Sequence, residues 1–219
     1  MFDLFRRRRV EPAVPSVDAE LQTLEEQIRQ AVPGHETSLL NRAGDLCARA
    51  GQTKRALSYY GRATNAYLEL GRSEAAEAIC RKILRLAPGT VRAQCTLAWV
   101  AVGRNHLADA RDAVHTYVCV AEGAGQDALA SKQVRMMADA VSDAGLLEFF
   151  GETLLDLGDS AGADEVFGRL YAERNGVLPP PEMDEEDRWG QLLRAALMDS
   201  SALEEMDGAA APLALARAG

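Results

Sequence analysis

Several kinds of residue are scarce in this 219-residue chain, and each scarcity removes a class of protein. Aromatic residues make up 5% of the sequence, and no segment alternates Val, Ile, Thr and Tyr as a β-strand does. No stretch approaches the ~20 consecutive apolar residues of a membrane-spanning helix. No apolar run follows the first residues as a secretory signal would, so we expect a cytoplasmic protein. The remaining sequence is rich in Ala, Leu and Arg, which predicts an all-α chain.

Cysteine and histidine are few and scattered, which argues against a metal site or a disulfide framework. The four cysteines include no Cys-x-x-Cys pair, and the three histidines show no zinc-like spacing. We therefore expect reduced cysteines that pack as small apolar residues. They are Cys47, Cys80, Cys95 and Cys119.

Motifs of nucleotide binding and of metalloprotease chemistry are missing as well. The chain has no G-x-x-x-x-G-K-[ST], no G-x-G-x-x-G after a strand and no H-E-x-x-H. We predict a non-enzymatic protein with no catalytic residue, no cofactor and no metal. The net charge of −9 argues against nucleic acid as a partner of the main body, because phosphate backbones need a dense positive face.

Changes in composition divide the chain into five predicted segments. The N-terminal helix has Asp18 as its expected N-cap, and the terminal helix places Trp189, Leu192, Leu193 and Leu197 on one face. The segments are a flexible basic arm (1–17), an N-terminal helix (18–35), a helical repeat domain (36–175), a proline-rich acidic linker (176–187), and a terminal helix with a disordered tail (188–219).

The central segment shows short helices separated by tight turns, with small and large apolar residues at fixed offsets around each turn. Four such series occur, and the second and third lie one 34-residue period apart. The series are Leu40, Ala43, Gly44, Cys47, turn Gly51, Ala56 and Tyr60; then Tyr60, Ala63, Thr64, Tyr67, turn Gly71, Ala76, Cys80 and Pro88; then Gln94, Leu97, Ala98, Ala101, turn Asn105, Ala110 and Val114; then Leu147, Phe150, Gly151, Leu154, turn Gly158, Ala163 and Phe167.

These series resemble the tetratricopeptide repeat, a hairpin of two helices in 34 residues. The resemblance implies an all-α fold, a right-handed α-solenoid of tetratricopeptide-like helix hairpins over residues 36–175. We expect irregular members, because Trp is absent from every first slot, the first two series share one helix, and residues 126–145 fit the spacing poorly. A generic antiparallel helical bundle is the alternative.

In this family the first helices of the hairpins line an inner, concave wall that commonly receives a peptide or a helix of a partner. The resemblance therefore implies a partner-binding groove, although ordinary solvated helix surface is the alternative for each residue. A clamp for a C-terminal carboxylate is not expected, because Asp45, Gly61 and Cys95 depart from its pattern. The candidate groove residues are Asn41, Asp45, Arg49, Arg62, Asn65, Arg92 and Trp99.

We predict a scaffold or adaptor that binds a protein or peptide through this groove. The alternative is a membrane- or nucleic-acid-associated regulatory protein that acts through its N-terminal "FRRRR". Four arginines could contact an anionic lipid surface, at about 1 kcal/mol each, or nucleic acid. They could equally lie on the acidic "EMDEED", or serve only for solubility. The arginines are Arg6, Arg7, Arg8 and Arg9.

Overall fold

The structure is a computed structural model, and it describes residues 16–175 and 184–198. The basic arm with Arg6 to Arg9, the proline run and the tail after Met198 lie outside the described residues. Within the described ranges the chain forms ten helices and no strand, so the prediction of an all-α fold is confirmed. The helices are α1 (Val17–Gln30), α2 (Glu36–Arg49), α3 (Thr53–Glu69), α4 (Ser73–Leu86), α5 (Val91–Gly103), α6 (Leu107–Gly123), α7 (Asp127–Ala140), α8 (Ala144–Asp156), α9 (Ser160–Arg174) and α10 (Glu185–Met198).

The helices from α1 to α9 stack in two layers. Short turns make consecutive helices antiparallel neighbours, and alternate helices also meet: α5 packs on α7, α6 on α8, and α7 on α9. Polar side chains join alternate helices at the other end of the stack. Arg55 on α3 donates to Asp18 on α1 at 2.8 Å, and Lys82 on α4 donates to Asp45 on α2 at 2.6 Å. Odd-numbered helices thus form one layer and even-numbered helices the other, which confirms the predicted solenoid of helix hairpins.

Six of the eight turns between α1 and α9 contain one residue in a left-handed backbone conformation, and the turns before α5 and α8 contain none. Gly51, Gly71 and Gly158 have φ values of 71°, 67° and 76°, as the predicted turn positions require. Asn105, the predicted turn residue of the third series, has φ 55°. Asn tolerates this conformation better than other residues with a Cβ because its short polar side chain can bond locally.

Three of the hairpins recur at an interval longer than the 34 residues of a simple tetratricopeptide array. Their turn residues Gly51, Asn105 and Gly158 are 54 and 53 positions apart, and the hairpins are α2/α3, α5/α6 and α8/α9. An additional helix follows each of the first two hairpins, α4 in one case and α7 in the other. Residues 126–145, which fit no series, therefore contain the additional helix of the second unit.

Close packing within these hairpins depends on glycines opposite aromatic rings. A Cβ built on Gly44 would lie 2.5 Å from the Tyr60 ring, and a Cβ on Gly151 would lie 2.5 Å from the Phe167 ring. Cys80 and Cys47 are fully buried in the same core cluster as Tyr60, and Cys95 is fully buried in the second cluster. Burial of these three agrees with their predicted role as packing residues, whereas the prediction is wrong for Cys119, which is exposed on α6.

Two boundaries differ from the sequence-based expectation, and both differences concern helix capping. The N-cap of α1 is Ser16, whose hydroxyl accepts from the Ala19 N–H at 3.3 Å, whereas Asp18 bonds Arg55. α10 begins at Glu185, inside the stretch 176–187 that was expected to be linker. Its acidic first turn is compatible with a helix because the Asp184 carboxylate accepts from the Glu186 N–H at 2.8 Å and negative charge suits a helix N-terminus.

Candidate partner-binding face

The last described helix does not extend the stack but folds back along the odd-numbered layer. α10 packs against α7, α5 and α3, and it buries Leu193, Ala196 and Leu197 there. These side chains join the core cluster that also contains Trp99, Val102 and Met137. We call the surface of α3, α5 and α7 on this side, together with the cleft described below, the α10-binding face.

Hydrogen bonds at both ends fix the direction of α10. Near its start, the Trp189 indole N–H donates to the main-chain carbonyl of Trp99 at 3.0 Å. Near its end, Arg92 donates to the carbonyl of Leu197 at 3.4 Å. Because Trp99 lies towards the end of α5 and Arg92 at its start, α10 runs antiparallel to α5.

Two side chains of the face cap the C-terminal turn of α10. The last four carbonyls of a helix have no partner within the helix. Gln133 on α7 donates to the carbonyl of Ala196 at 3.3 Å, next to the contact of Arg92 with Leu197. Since these bonds go to main-chain oxygens, they recognise the end of a helix and not its particular side chains.

Gln133 is held in the required orientation by its other partners. The Trp99 indole donates to the Gln133 side-chain carbonyl at 2.8 Å, and the Cys95 thiol approaches it at 3.6 Å. Its amide NH2 therefore points towards α10. Gln133 was not a candidate from the sequence, because α7 matches none of the repeat series. The one signal in the sequence is that the residues one helical turn before and after Gln133 are apolar, which puts a polar residue on an apolar helix face.

Trp99 does not form the open apolar platform expected from its sequence position. Its ring is fully buried and its indole N–H is used internally. The main-chain carbonyl of Trp99 is the group that meets α10. The expectation of an exposed ring is therefore corrected, because the ring turns into the layer between α5 and α7.

Three other candidates lie together beyond the end of α10. Asn65 accepts from Arg92 at 2.6 Å, and Arg62 is exposed, with its guanidinium 5.8 Å from the centre of the Tyr59 ring. Arg62, Asn65 and Arg92 line a cleft of about 520 Å³ between α3, α4 and α5. Apolar side chains, among them Leu57 and Ile83, contribute the rest of the cleft. The face thus continues from the surface that α10 covers into this cleft, which is partly apolar and contains basic residues.

The three candidates on α2 belong to a different surface. Lys82 on α4 donates to Asn41 at 2.8 Å and to Asp45 at 2.6 Å. Asp45 also accepts from the Tyr60 hydroxyl at 2.6 Å. Although burial alone would raise it, the pKa of Asp45 is lowered below 3.8 by the hydrogen bonds from Lys82 and Tyr60.

Arg49 is exposed beside them, and these residues line a second hollow, of about 370 Å³. The expectation that all seven candidates share one wall is therefore wrong. α2 and α3 are the two halves of one hairpin, so they fall in opposite layers.

One sequence pattern of catalysis does occur, without its structural setting. Residues 158–162 read GDSAG, which matches the G-x-S-x-G of a nucleophile elbow. That motif needs a strand before the serine, but this segment joins two helices, and Ser160 is the first residue of α9. Asp159 caps α9 through the Gly162 N–H at 3.0 Å and is bound by Arg135. The segment is a helix-capping turn.

Two other kinds of site are missing from the described ranges. Across residues 16–175 and 184–198, no three His, Cys, Asp or Glu side chains are grouped so that they could hold a metal ion. In the same part of the chain, no helix combines the length and the apolar character needed to cross a membrane.

Comparison with family models finds one repeat of a known type in this chain. The family model described as tetratricopeptide repeat matches residues 58–90, which contain most of α3, the Gly71 turn and all of α4. No curated protein sequence matches the chain. Among solved structures, the chain is similar to a tetratricopeptide repeat protein from Parabacteroides merdae ATCC 43184, with 17% identity, a TM-score of 0.25, and coverage of 80% of this chain and 78% of that chain. The matched segment shows that the chain contains a tetratricopeptide repeat, formed by α3 and α4, within its two-layer stack of helix hairpins.

Proposed function

We propose that this protein is a non-enzymatic scaffold or adaptor that holds a protein partner on its α10-binding face. Tetratricopeptide repeats generally mediate protein–protein interactions, through the extended surfaces that their stacked helices create. The contacts between α10 and this face support the choice of site. The face holds a helix by burying Leu193, Ala196 and Leu197, and it bonds that helix at both ends.

The side chains that line the face are already ordered beneath the surface. Trp99 and Met137 belong to the core cluster that α10 joins and have no exposure, and Gln133 is fixed by its bond from the Trp99 indole. A surface whose side chains are already ordered loses less entropy on association than a flexible one. The adjoining cleft offers Arg62 and Asn65 as further contacts, for acidic or amide groups of the partner.

The test is affinity purification with the full chain, followed by mass spectrometry and binding of the purified partner. Gly61 lines the cleft, and a Cβ built on it meets nothing within 4 Å, so Gly61→Trp is chosen to place a large side chain in the cleft. Gly123 is an exposed helical glycine on α6, in the other layer, so Gly123→Trp is the matched control. We expect Gly61→Trp to lower the affinity for the partner at least tenfold and Gly123→Trp to leave that affinity unchanged. Equal binding by both variants would place the partner elsewhere.

The basic arm is tested separately in the full chain. Replacing Arg6 to Arg9 by alanine and measuring co-sedimentation with anionic vesicles and with DNA asks whether the arm binds either one. Binding that is lost on this replacement and falls with salt would support the alternative function, because counterion release makes such contacts salt-dependent.

A further inference from the structure

α10 does not pack on α9 as the next helix of the stack would. The first two hairpins are followed within three residues by their additional helices, α4 and α7. After α9 the chain instead passes through 176–183 and returns to α7, α5 and α3. The resulting bond between Arg92 and Leu197 joins residues 105 positions apart. α10 therefore packs across the stack and does not continue it.

The seat selects a helix with a particular apolar stripe. Trp189, Leu193, Ala196 and Leu197 stand at i, i+4, i+7 and i+8, which is one face of an α-helix. A Cβ on Gly103 would overlap the Trp189 ring, so the glycine leaves room for a large aromatic residue at the first position. At the other end, Arg92 and Gln133 donate hydrogen bonds to main-chain carbonyls of the last turn, as they can for a helix that lies antiparallel to α5.

α10 contributes little to the core compared with the helices beneath it. It has three buried residues, whereas α5 has nine. Elements with few buried apolar contacts open at a lower free energy than the global unfolding of a protein. Loss of α10 therefore leaves most of the packing of α5 and α7 in place.

Resting on the proposed function, we infer that the partner presents an amphipathic helix that replaces α10 on this face with the same polarity. Its aromatic residue lies at Gly103, its leucines lie over Trp99 and Met137, and its last turn is capped by Gln133 and Arg92. α10 is the intramolecular competitor of that helix. Because α10 belongs to the same chain, it competes with an incoming helix intramolecularly, so releasing α10 should raise the affinity of the face for that helix.

The experiment uses the full chain and a fluorescent peptide with the sequence of residues 184–198 as the probe. Both alanines belong to α10: Ala196 is buried against the face, and Ala195 is exposed to solvent. Ala196→Asp should therefore release α10, and Ala195→Asp is the matched control. We expect Ala196→Asp to bind the peptide at least tenfold more tightly than the wild type and Ala195→Asp. Leu193→Asp, a second releasing variant, should behave like Ala196→Asp. The same peptide carrying Ala196→Asp should not bind.

Circular dichroism identifies which releasing variant is folded, and the conclusion is drawn from that variant. The inference would be overturned if the wild type and all variants bound the peptide with equal affinity, or if a folded releasing variant did not bind it. A photo-crosslinker on the first residue of the peptide should label residues near Gly103, and one on its last residue should label residues near Arg92. The reverse pattern would overturn the assigned polarity. Peptide-sensitive dimers of the wild type would instead assign the face to α10 of a second copy.

The two proposals fail separately. If a partner is captured and is sensitive to Gly61→Trp, but the peptide does not bind a folded releasing variant, the scaffold function stands and helix exchange is wrong. If the peptide exchanges but no purified protein binds, the seat is a helix-binding site and the scaffold function fails.

Discussion

The indole N–H of Trp189 lies 3.0 Å from the main-chain carbonyl of Trp99, across 90 residues of sequence. These two residues are the only tryptophans in the chain. The ring of Trp99 is buried by α5 and α7, whereas the ring of Trp189 depends on α10 staying in its seat. Tryptophan fluorescence of this protein therefore reports the position of α10.

The substitution Gly103→Ala should release the first half of α10. The new methyl group would overlap the Trp189 ring, so the indole must move into water. We expect a red shift of tryptophan emission with little loss of helical circular dichroism. Gly123→Ala adds the same methyl group in open space and should leave the emission unchanged. An unshifted spectrum for Gly103→Ala would show that Trp189 does not occupy this position.

Adding one methyl group should change the free energy of unfolding in opposite directions at two helical glycines of the same hairpin. Gly44→Ala places the methyl group against the Tyr60 ring, and such overpacking typically costs 1 to 3 kcal/mol, roughly. Gly61→Ala meets nothing within 4 Å and should stabilise the helix by about 0.5 to 1 kcal/mol. Thermal or urea unfolding measures both changes. A shift of the same sign for the two variants would contradict the packing described for α2 and α3.

Removal of the Asp159 carboxylate should destabilise the protein in a pH-dependent manner. The hydrogen bonds from Arg135 and Ser131 hold the pKa of Asp159 well below 3.8, and its carboxylate also caps α9. For a lowered pKa, the contribution to stability is complete above the unfolded-state value and is lost as the pH falls through the folded-state value.

We expect Asp159→Ala to lose about 1 to 2 kcal/mol at pH 7, and the difference from wild type to shrink below about pH 5. Urea unfolding at several pH values measures this difference. Asp164→Ala, on the exposed side of the same helix, should change stability by less than about 0.5 kcal/mol. A difference that grows on acidification would refute the assigned bonding.

One cysteine of four should react rapidly with a thiol reagent in the native protein. Cys119 is exposed on α6, and Cys47, Cys80 and Cys95 are buried. Burial raises the pKa of Cys80 to about 11 and that of Cys95 to about 12, which further lowers their thiolate fraction. Labelling at pH 8 should modify one thiol in the wild type and none in Cys119→Ser. More than one rapidly labelled thiol would contradict the burial of the other three.

The features that could be predicted from the sequence are local. Turns at Gly51, Gly71 and Gly158 were predictable because a left-handed residue must fall between two helices a few residues apart. The pairing of Gly44 with Tyr60 spans 16 positions within one hairpin, so the repeat spacing already implied it. Even Asn105 was identified by its offset from the neighbouring small residues.

Only the tertiary structure decided which residues share a surface. Asn41 and Asn65 occupy equivalent-looking positions in two overlapping series, but α2 and α3 lie in opposite layers, so these residues face away from one another. Gln133 gave no repeat signal, because its role depends on Trp99 of one helix and Ala196 of another. Helical periodicity shows that α10 has an apolar face, but it cannot show where that face packs. The location of α10 is set by contacts that close loops of 90 to 105 residues, which depend on the shape of the assembled stack and not on any local pattern.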